Sequence, residues 1–396
     1  MQPLSIYVHI PFCRHRCGYC DFNTYAGMNH LVPAYISGLK TEIRQFKNFI
    51  PVQGNYRVQT IYFGGGTPSL IPPGDIGAVL EQIFRVFQVD EDCEITMEAN
   101  PGTVSLATLN GYRQQGVNRI SLGVQSSNLN ELQLLEREHE FSDVQRAVAD
   151  AKKAGFLNIS LDLIFGIPGQ NIDNWQTSLS DVVDLAPEHL SLYSLTIEEG
   201  TPFAKYVREG KMPYPDEDIA ADMYDFAREF LRGKGFQQYE ISNWARKDSR
   251  GDLMISRHNR QYWLNGAYIG FGAGAHGSIE GERLENEKSI VRYIRALEET
   301  ESASLPATPG TKARTPIDPE REMNETMMLG LRLLVEGVSE DRFEKRFGIG
   351  MRTVFGKTIN KLEAKKLVEW CGPNRDTLRL TEMGYLLGNQ VFVEFV

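Results

Sequence analysis

The chain has 396 residues, 41% hydrophobic and 24% charged, with a mean hydropathy of −0.33, the balance of a folded protein of two or three domains rather than a disordered or disulfide-scaffold one. Its 42 Lys+Arg stand against 52 Asp+Glu, a net charge of −10 that argues against a nucleic-acid or anionic-lipid partner. No window approaches the ~18–20 unbroken apolar residues of a membrane helix and the first residues lack a signal peptide's basic and apolar regions, so a cytoplasmic globular protein is expected.

The first apolar run, Ser5–Ile10, is followed at once by Cys13, Cys17 and Cys20, three of the five cysteines. Clustered thiols without a secretion signal point to metal or redox chemistry rather than to disulfides. The C-x3-C-x2-C spacing lets one loop wrap a [4Fe–4S] cube by three irons and leave the fourth open, as reactive metal sites require. The competing reading is a Cys3His zinc site completed by His9, His15 or His30.

Further β-rich runs follow at Thr60–Phe63, Glu94–Met97, Arg119–Val124, Ile159–Phe165 and His189–Leu195. Helical spacing lies between them. Ile76, Val79, Leu80, Ile83, Phe84 and Phe87 form one apolar stripe. Ser142 to Gln145 reads as a capping box for a helix carrying Val144, Ala147, Val148 and Ala151 and stopped near Gly155. Near-continuous apolar strands separated by amphipathic helices predict a parallel sheet covered by helices over residues 1–245. Gly64-Gly65-Gly66-Thr67-Pro68-Ser69 ends the second strand and allows close backbone approach to a ligand. Glu98, Gln125 and Asp162 lie at or near the ends of later strands, with Arg137 in a connection. Polar groups at strand C-termini line active sites in parallel βα folds.

Residues 246–300 are rich in Gly, aromatics and His. Within them, a helical reading of His258-Asn259-Arg260-Gln261-Tyr262-Trp263 puts His258 and Tyr262 on one face, and Asn259 and Trp263 on another. Imidazole ligates iron and aromatic rings can line a porphyrin; from the residues alone, a capped turn with Tyr and Trp in the core is favoured. Gly272–Gly277 matches G-x-G-x-x-G but lacks the βαβ placement of a dinucleotide site. Residues 301–320 read as a linker. Residues 321–396 read helix, short helix, helix, hairpin: a winged-helix-like module, with Leu331, Leu334 and Val335 on its first helix and a turn at Gly372-Pro373-Asn374. Its 12 Lys+Arg against 11 Asp+Glu suit packing better than DNA binding. Cys93 and Cys371 read as ordinary thiols, Cys371 alternatively as a heme or surface thiol.

The stretches IYVHIPFC, YCDFN, YFGGGTPS, EANPG, SLGVQS, DLIFGIPGQ and HNRQYW resemble the radical S-adenosylmethionine (SAM) superfamily, and within it the oxygen-independent coproporphyrinogen III oxidase family, closest to its heme chaperone (HemW) branch. The resemblance implies an α/β fold: a partial (β/α)6 TIM-like radical SAM barrel with a small C-terminal winged-helix-like domain. It implies that Cys13, Cys17 and Cys20 hold a [4Fe–4S] cluster whose open iron takes SAM, and that the reduced cluster breaks SAM to methionine and a 5′-deoxyadenosyl radical. Tyr7 and Tyr19 would flank cluster and ligand, Gly65, Gly66 and Thr67 would meet the SAM amino group, and Glu98, Gln125, Arg137 and Asp162 would be polar SAM contacts. His258, Asn259, Tyr262 and Trp263 become candidate heme residues, and His276 a residue approaching the cluster.

Two departures separate the chain from the oxidases. Their further cysteine, two residues past the third ligand, is Phe22 here, and only six residues precede Tyr7. The expected function is therefore a heme chaperone that binds cluster, SAM and heme and passes heme to recipient proteins such as membrane respiratory enzymes, with the cluster regulating more than catalysing and a homodimer as a candidate assembly. The alternatives are coproporphyrinogen III oxidase and, last, a zinc-binding α/β protein.

Overall fold

The computed structural model describes residues 1–299 and 303–396; the junction of the Gly/aromatic segment with the expected linker, at 300–302, lies outside the described residues. Six strands follow the six expected runs: β1 (Gln2–Ile10), β2 (Tyr56–Gly65), β3 (Val89–Ala99), β4 (Arg119–Gln125), β5 (Ile159–Phe165) and β6 (His189–Ser194). Each is parallel to the next in chain order. This unpermuted order, with helices between the strands, is that of a βα barrel rather than a doubly wound sheet. The barrel is partial. Beyond β6 lie two antiparallel strands, β7 (Gln237–Glu240) and β8 (Asn243–Ala245), with β8 next to β6.

On the other side β1 pairs in parallel with β9 (Ala267–Phe271), followed by β10 (His276–Ile279), β11 (Glu282–Asn286) and β12 (Thr311–Pro316). The expected linker thus contributes the outermost strand of a twelve-stranded sheet.

The strands are not the uniformly apolar runs the sequence suggested. Leu4, Ile6, Val8 and Ile10 of β1 are fully buried, whereas the alternating Ser5, Tyr7 and His9 take polar partners: Ser5 Oγ lies 2.7 Å from Thr60 Oγ1 and Tyr7 Oη 2.9 Å from His9 Nδ1. The same alternation places Glu98, Ser121, Asp162 and Ser191 on one face across β3 to β6, Glu98 paired with Ser121 and Asp162 with Ser191. The outer face packs under helices and the inner face is a polar lumen.

Local expectations are corrected in two helices. Helix Pro73–Val86 buries Ile76, Val79, Leu80 and Ile83 but leaves Phe84 exposed, at the edge of the stripe. Helix Phe141–Lys153 is boxed by Glu140 and Asp143, two residues earlier than Ser142 to Gln145, and Gly155 follows its end at φ +85.

The tail forms its own core from helices Pro319–Gly330, Glu340–Phe347 and Met351–Ala364 and the hairpin Val368–Cys371 with Thr377–Leu380, to which Val338–Ser339 adds a third strand. Leu331, Leu334 and Val335 lie just past the first helix. There the chain turns so that Leu334 N–H reaches Tyr239 O at 3.0 Å, which buries Leu331 and Leu334 and exposes Val335. No helix among the described residues is long and apolar enough to cross a membrane.

Candidate functional site

The chain leaving β1 pairs Phe12–Cys13 with Tyr25–Ala26 and so closes the cysteine segment into a loop. Cys13, Cys17 and Cys20 all line one cavity of about 500 Å³ at the C-terminal ends of the barrel strands. Thr67 Oγ1 stands 3.6 Å from Cys13 Sγ, Arg137 Nη1 3.8 Å from Cys17 Sγ, and Thr24 Oγ1 3.9 Å from Cys20 Sγ. Burial pushes the Cys13 and Cys17 thiols up, and at Cys17 the Arg137 guanidinium works against that shift.

The geometry does not form the Cys3His alternative. His9 spends Nδ1 on Tyr7 Oη and Nε2 on Asn23 O, while His15 lies 2.7 Å from Glu136. His30 sits on the 3-10 turn Asn29–Leu31, outside the cavity lining. Among the described residues no three His, Cys, Asp or Glu side chains are grouped to hold a single metal ion. A cubane, which spreads three thiolates over three irons, suits a loop of this kind.

The glycine loop is pinned to the cysteine loop. Gly66 N–H donates to Ile10 O and Thr67 N–H to Phe12 O, both at 2.8 Å, and Gly65 N–H donates to Glu98 Oε2 at 3.0 Å. A Cβ on Gly65 (φ +110) would overlap the His9 ring, and one on Gly66 would overlap the carbonyls of Ile10 and Phe12. With their N–H groups spent, these residues offer a ligand only carbonyls and the Thr67 hydroxyl, which are acceptors suited to an ammonium.

The lumen holds the rest. Glu98 accepts from Tyr62 Oη at 2.8 Å, and burial raises its carboxyl to about 7. Asp162 accepts from Ser121 Oγ at 2.9 and 3.0 Å and is also raised by burial. Gln125 ends β4 in the left-handed region, φ 68, and Arg137 Nη2 donates to Gly123 O at 3.1 Å. Tyr19 lines the cavity too. Sequence reasoning missed Arg119, a buried guanidinium beside Glu98 and Asp162 on the inner face of β4. An arginine inside an apolar strand run was the available signal. The Nε atoms of Arg119 and Arg137 are buried without a partner. Two orphaned cationic donors, two acids and acceptor carbonyls around three thiols fit a zwitterionic ligand lying against a cluster.

Other expected residues lie elsewhere. Tyr7 and His276 do not line this cavity but a second one. The G-x-G-x-x-G loop is held by Gly272 N–H to Glu42 Oε2 and Ala273 N–H to Tyr35 Oη, both at 2.9 Å, and Ala273 O accepts from Asn23 Nδ2 at 3.0 Å, so the loop abuts the end of the cysteine segment without lining the cysteine cavity. The HNRQYW stretch is helical, Arg257–Trp263, capped by Ser256. His258 is buried with Nδ1 2.8 Å from Thr60 Oγ1 and Nε2 3.0 Å from Tyr262 Oη, and burial lowers its pKa to about 3. Both nitrogens are spent, which rules it out as an iron ligand in this arrangement. Asn259 alone of the motif lines the cysteine cavity. Tyr262 lines the second cavity, and Trp263 lies under Arg332, 4.5 Å from ring to guanidinium. Cys93 is buried with its thiol pushed up to about 12 by burial, and Cys371 donates to Thr377 O at 3.4 Å within the hairpin.

Comparison with known proteins agrees with this geometry. Residues 7–182 match the radical SAM superfamily and residues 317–387 the HemN C-terminal domain. The heme chaperone HemW of Bacillus subtilis is 36% identical over 393 residues, covering 99% of each chain. The heme chaperone HemW of Lactococcus lactis is 34% identical over 100% of this chain and 98% of its own. The structure of the Escherichia coli coproporphyrinogen III oxidase HemN, a radical SAM enzyme, superposes with a TM-score of 0.82 over 100% of this chain and 90% of that one at 23% identity, a likeness of fold.

Proposed function

Because the chain belongs to the HemW family within the radical SAM superfamily, we propose that it is a heme chaperone built on a radical SAM core. Cys13, Cys17 and Cys20 hold a [4Fe–4S] cluster, and SAM lies along the lumen. Its ammonium meets the Gly65, Gly66 and Thr67 acceptors; its carboxylate meets Arg137; its ribose meets Glu98, Gln125 or Asp162. When bound, the cluster supplies an electron at the sulfonium. The cargo is heme, delivered to heme-requiring respiratory proteins from the cytoplasm, and the protein works as a monomer or homodimer.

The observation that carries the core of this reading is the convergence of three thiols, an arginine and lumen acids on one cavity. Phe22, in place of the oxidases' extra cysteine, favours chaperone over oxidase. Anaerobically reconstituted protein is expected to hold about four irons and four sulfides and to titrate with hemin to a saturable Soret band. Stoichiometric zinc without labile sulfide would sink the cluster reading. Consumption of coproporphyrinogen III under reducing, SAM-containing, oxygen-free conditions would replace chaperone by oxidase.

A further inference from the structure

We infer that heme sits in the second cavity, on the other side of the cysteine loop from the SAM lumen, with His276 as its axial ligand. The inference rests on the heme-chaperone reading above and gives that reading a place on this chain.

The first ground is the state of the imidazoles. Six of the seven histidines are committed or misplaced. His9, His189 and His258 use both ring nitrogens inside the fold: Tyr7 and Asn23, Ser160 and Tyr239, Thr60 and Tyr262 are their partners. His15 pairs with Glu136, and His139 is buried with Nε2 on Val124 O. His30 lies outside both cavities. His276 is exposed at the start of β10, its ring makes no hydrogen bond among the described residues, and it borders a cavity of about 510 Å³. Iron is taken by a neutral imidazole nitrogen with nothing else bound to it.

The second ground is the wall. Tyr7, Tyr262 and Tyr268 line the cavity, with the Tyr262 and Tyr268 rings 4.7 Å apart edge to face. Aromatic faces of this kind suit the flat surface of a macrocycle. Phe22 adds to them. It is 64% exposed and borders both cavities.

The third ground is charge. Arg16 and Lys288 border the cavity beside the carboxylate Asp21, with Lys288 Nζ also 3.7 Å from Glu285 Oε1, two cations placed where two propionates would lie. Arg16, Asp21, Phe22 and Thr24 wall both cavities. Whatever orders the loop around a cluster therefore also shapes the heme wall, so cluster loading and heme affinity are coupled.

The test is hemin titration of cluster-loaded, full-length protein, read by Soret position and Kd, with iron and sulfide counted on the same samples. The wild type is expected to saturate. His276→Ala is expected to shift the Soret band and weaken binding about tenfold or more, with cluster content unchanged, and added imidazole is expected to restore the wild-type band. Lys288→Glu is expected to weaken binding without moving the band, and keeps the site testable if His276→Ala fails to fold. A wild type with no saturable heme binding overturns the chaperone reading itself. A wild type that binds, with His276→Ala retaining both band and Kd, or with Lys288→Glu binding as tightly as wild type, overturns the placement alone.

Discussion

The Nη1 atom of Arg137 lies 3.8 Å from the sulfur of Cys17, and its Nη2 holds Gly123 O at 3.1 Å. One guanidinium thus ties a loop thiol to the end of a barrel strand, while its Nε is left buried and unpartnered. Arg137→Met is expected to cost SAM binding roughly 10–100-fold, the ~1.5–3 kcal/mol of a charge-assisted hydrogen bond. Calorimetry on cluster-loaded protein checks this; an unchanged SAM Kd would show that the orphaned donor does not face the ligand.

Cys17→Ser replaces a thiolate by a hydroxyl that binds iron poorly and leaves two cysteine ligands. Iron and sulfide are expected to fall from about four per chain to below about one. The half-buried thiol is raised by burial and eased back by Arg137, so its thiolate fraction, and with it the rate of cluster reconstitution, is expected to grow as pH rises from 7 to 9. Full iron retention in the serine variant would remove Cys17 from the ligand set.

Glu98 carries the pH dependence of the lumen. Burial holds its carboxyl at about 7, with Asp162 raising it further and Tyr62, Gly65 N–H and Arg119 opposing. The folded pKa exceeds the unfolded value. Its contribution to apo stability is therefore complete below about pH 4.5 and lost as pH rises through about 7. Ligand binding runs the other way, because a cationic ligand prefers the ionised acid. SAM affinity is expected to rise with pH up to about 7, by at most about tenfold per unit, and then level off. Glu98→Gln is expected to flatten both curves, which thermal melts and calorimetry from pH 5 to 9 would measure.

The six strands and the cysteine loop were legible because alternation and spacing are written directly in residue order. Their polar inner face was less so: Thr60, Ser121 and Ser160 read as interruptions of apolar runs, and only pairing puts them in one lumen. Arg119 was visible as an arginine in an apolar run, but only pairing shows that it faces the same lumen. The motif at 258–263 misled because a ligand histidine and a core histidine are the same letter. What separates them is whether Thr60 and Tyr262 stand within hydrogen-bonding distance, and Thr60 lies far away in sequence. Tyr7 shows the same dependence on pairing: its neighbour on β2, Tyr62, reaches Glu98 in the cysteine cavity, while Tyr7 turns its hydroxyl to His9.

That distinction yields a prediction for His258. Its ring lies 4.9 Å from both the Tyr62 and Tyr262 rings and hydrogen-bonds two hydroxyls. His258→Ala is expected to destabilise the protein by about 2–4 kcal/mol, from a cavity plus two abandoned polar groups, and to leave the Soret position of any heme complex unchanged. Denaturant melts and hemin spectra on one preparation decide it. A shifted band with intact stability would mean that the imidazole leaves its buried seat to take iron.

The C-terminal module is held to the barrel by a comparable buried contact. Arg332 lies over Trp263 at 4.5 Å and Phe392 at 5.1 Å, and burial lowers its pKa while Glu240 opposes the shift. Glu240, itself raised to about 7 by burial, has Arg332 as a compensating charge. No hydrogen bond or ion pair joins the two, but removing Arg332 takes away the cation that offsets the buried Glu240. Arg332→Met is therefore expected to lose about 3 kcal/mol and to expose the module to proteolysis, more so above pH 7, where wild-type Glu240 ionises against Arg332 and the variant's does not. The double variant Arg332→Met with Glu240→Gln is expected to recover part of the loss. Equal stability of single and double variants across pH 6 to 9 would show that packing on Trp263, rather than charge, holds the two parts together.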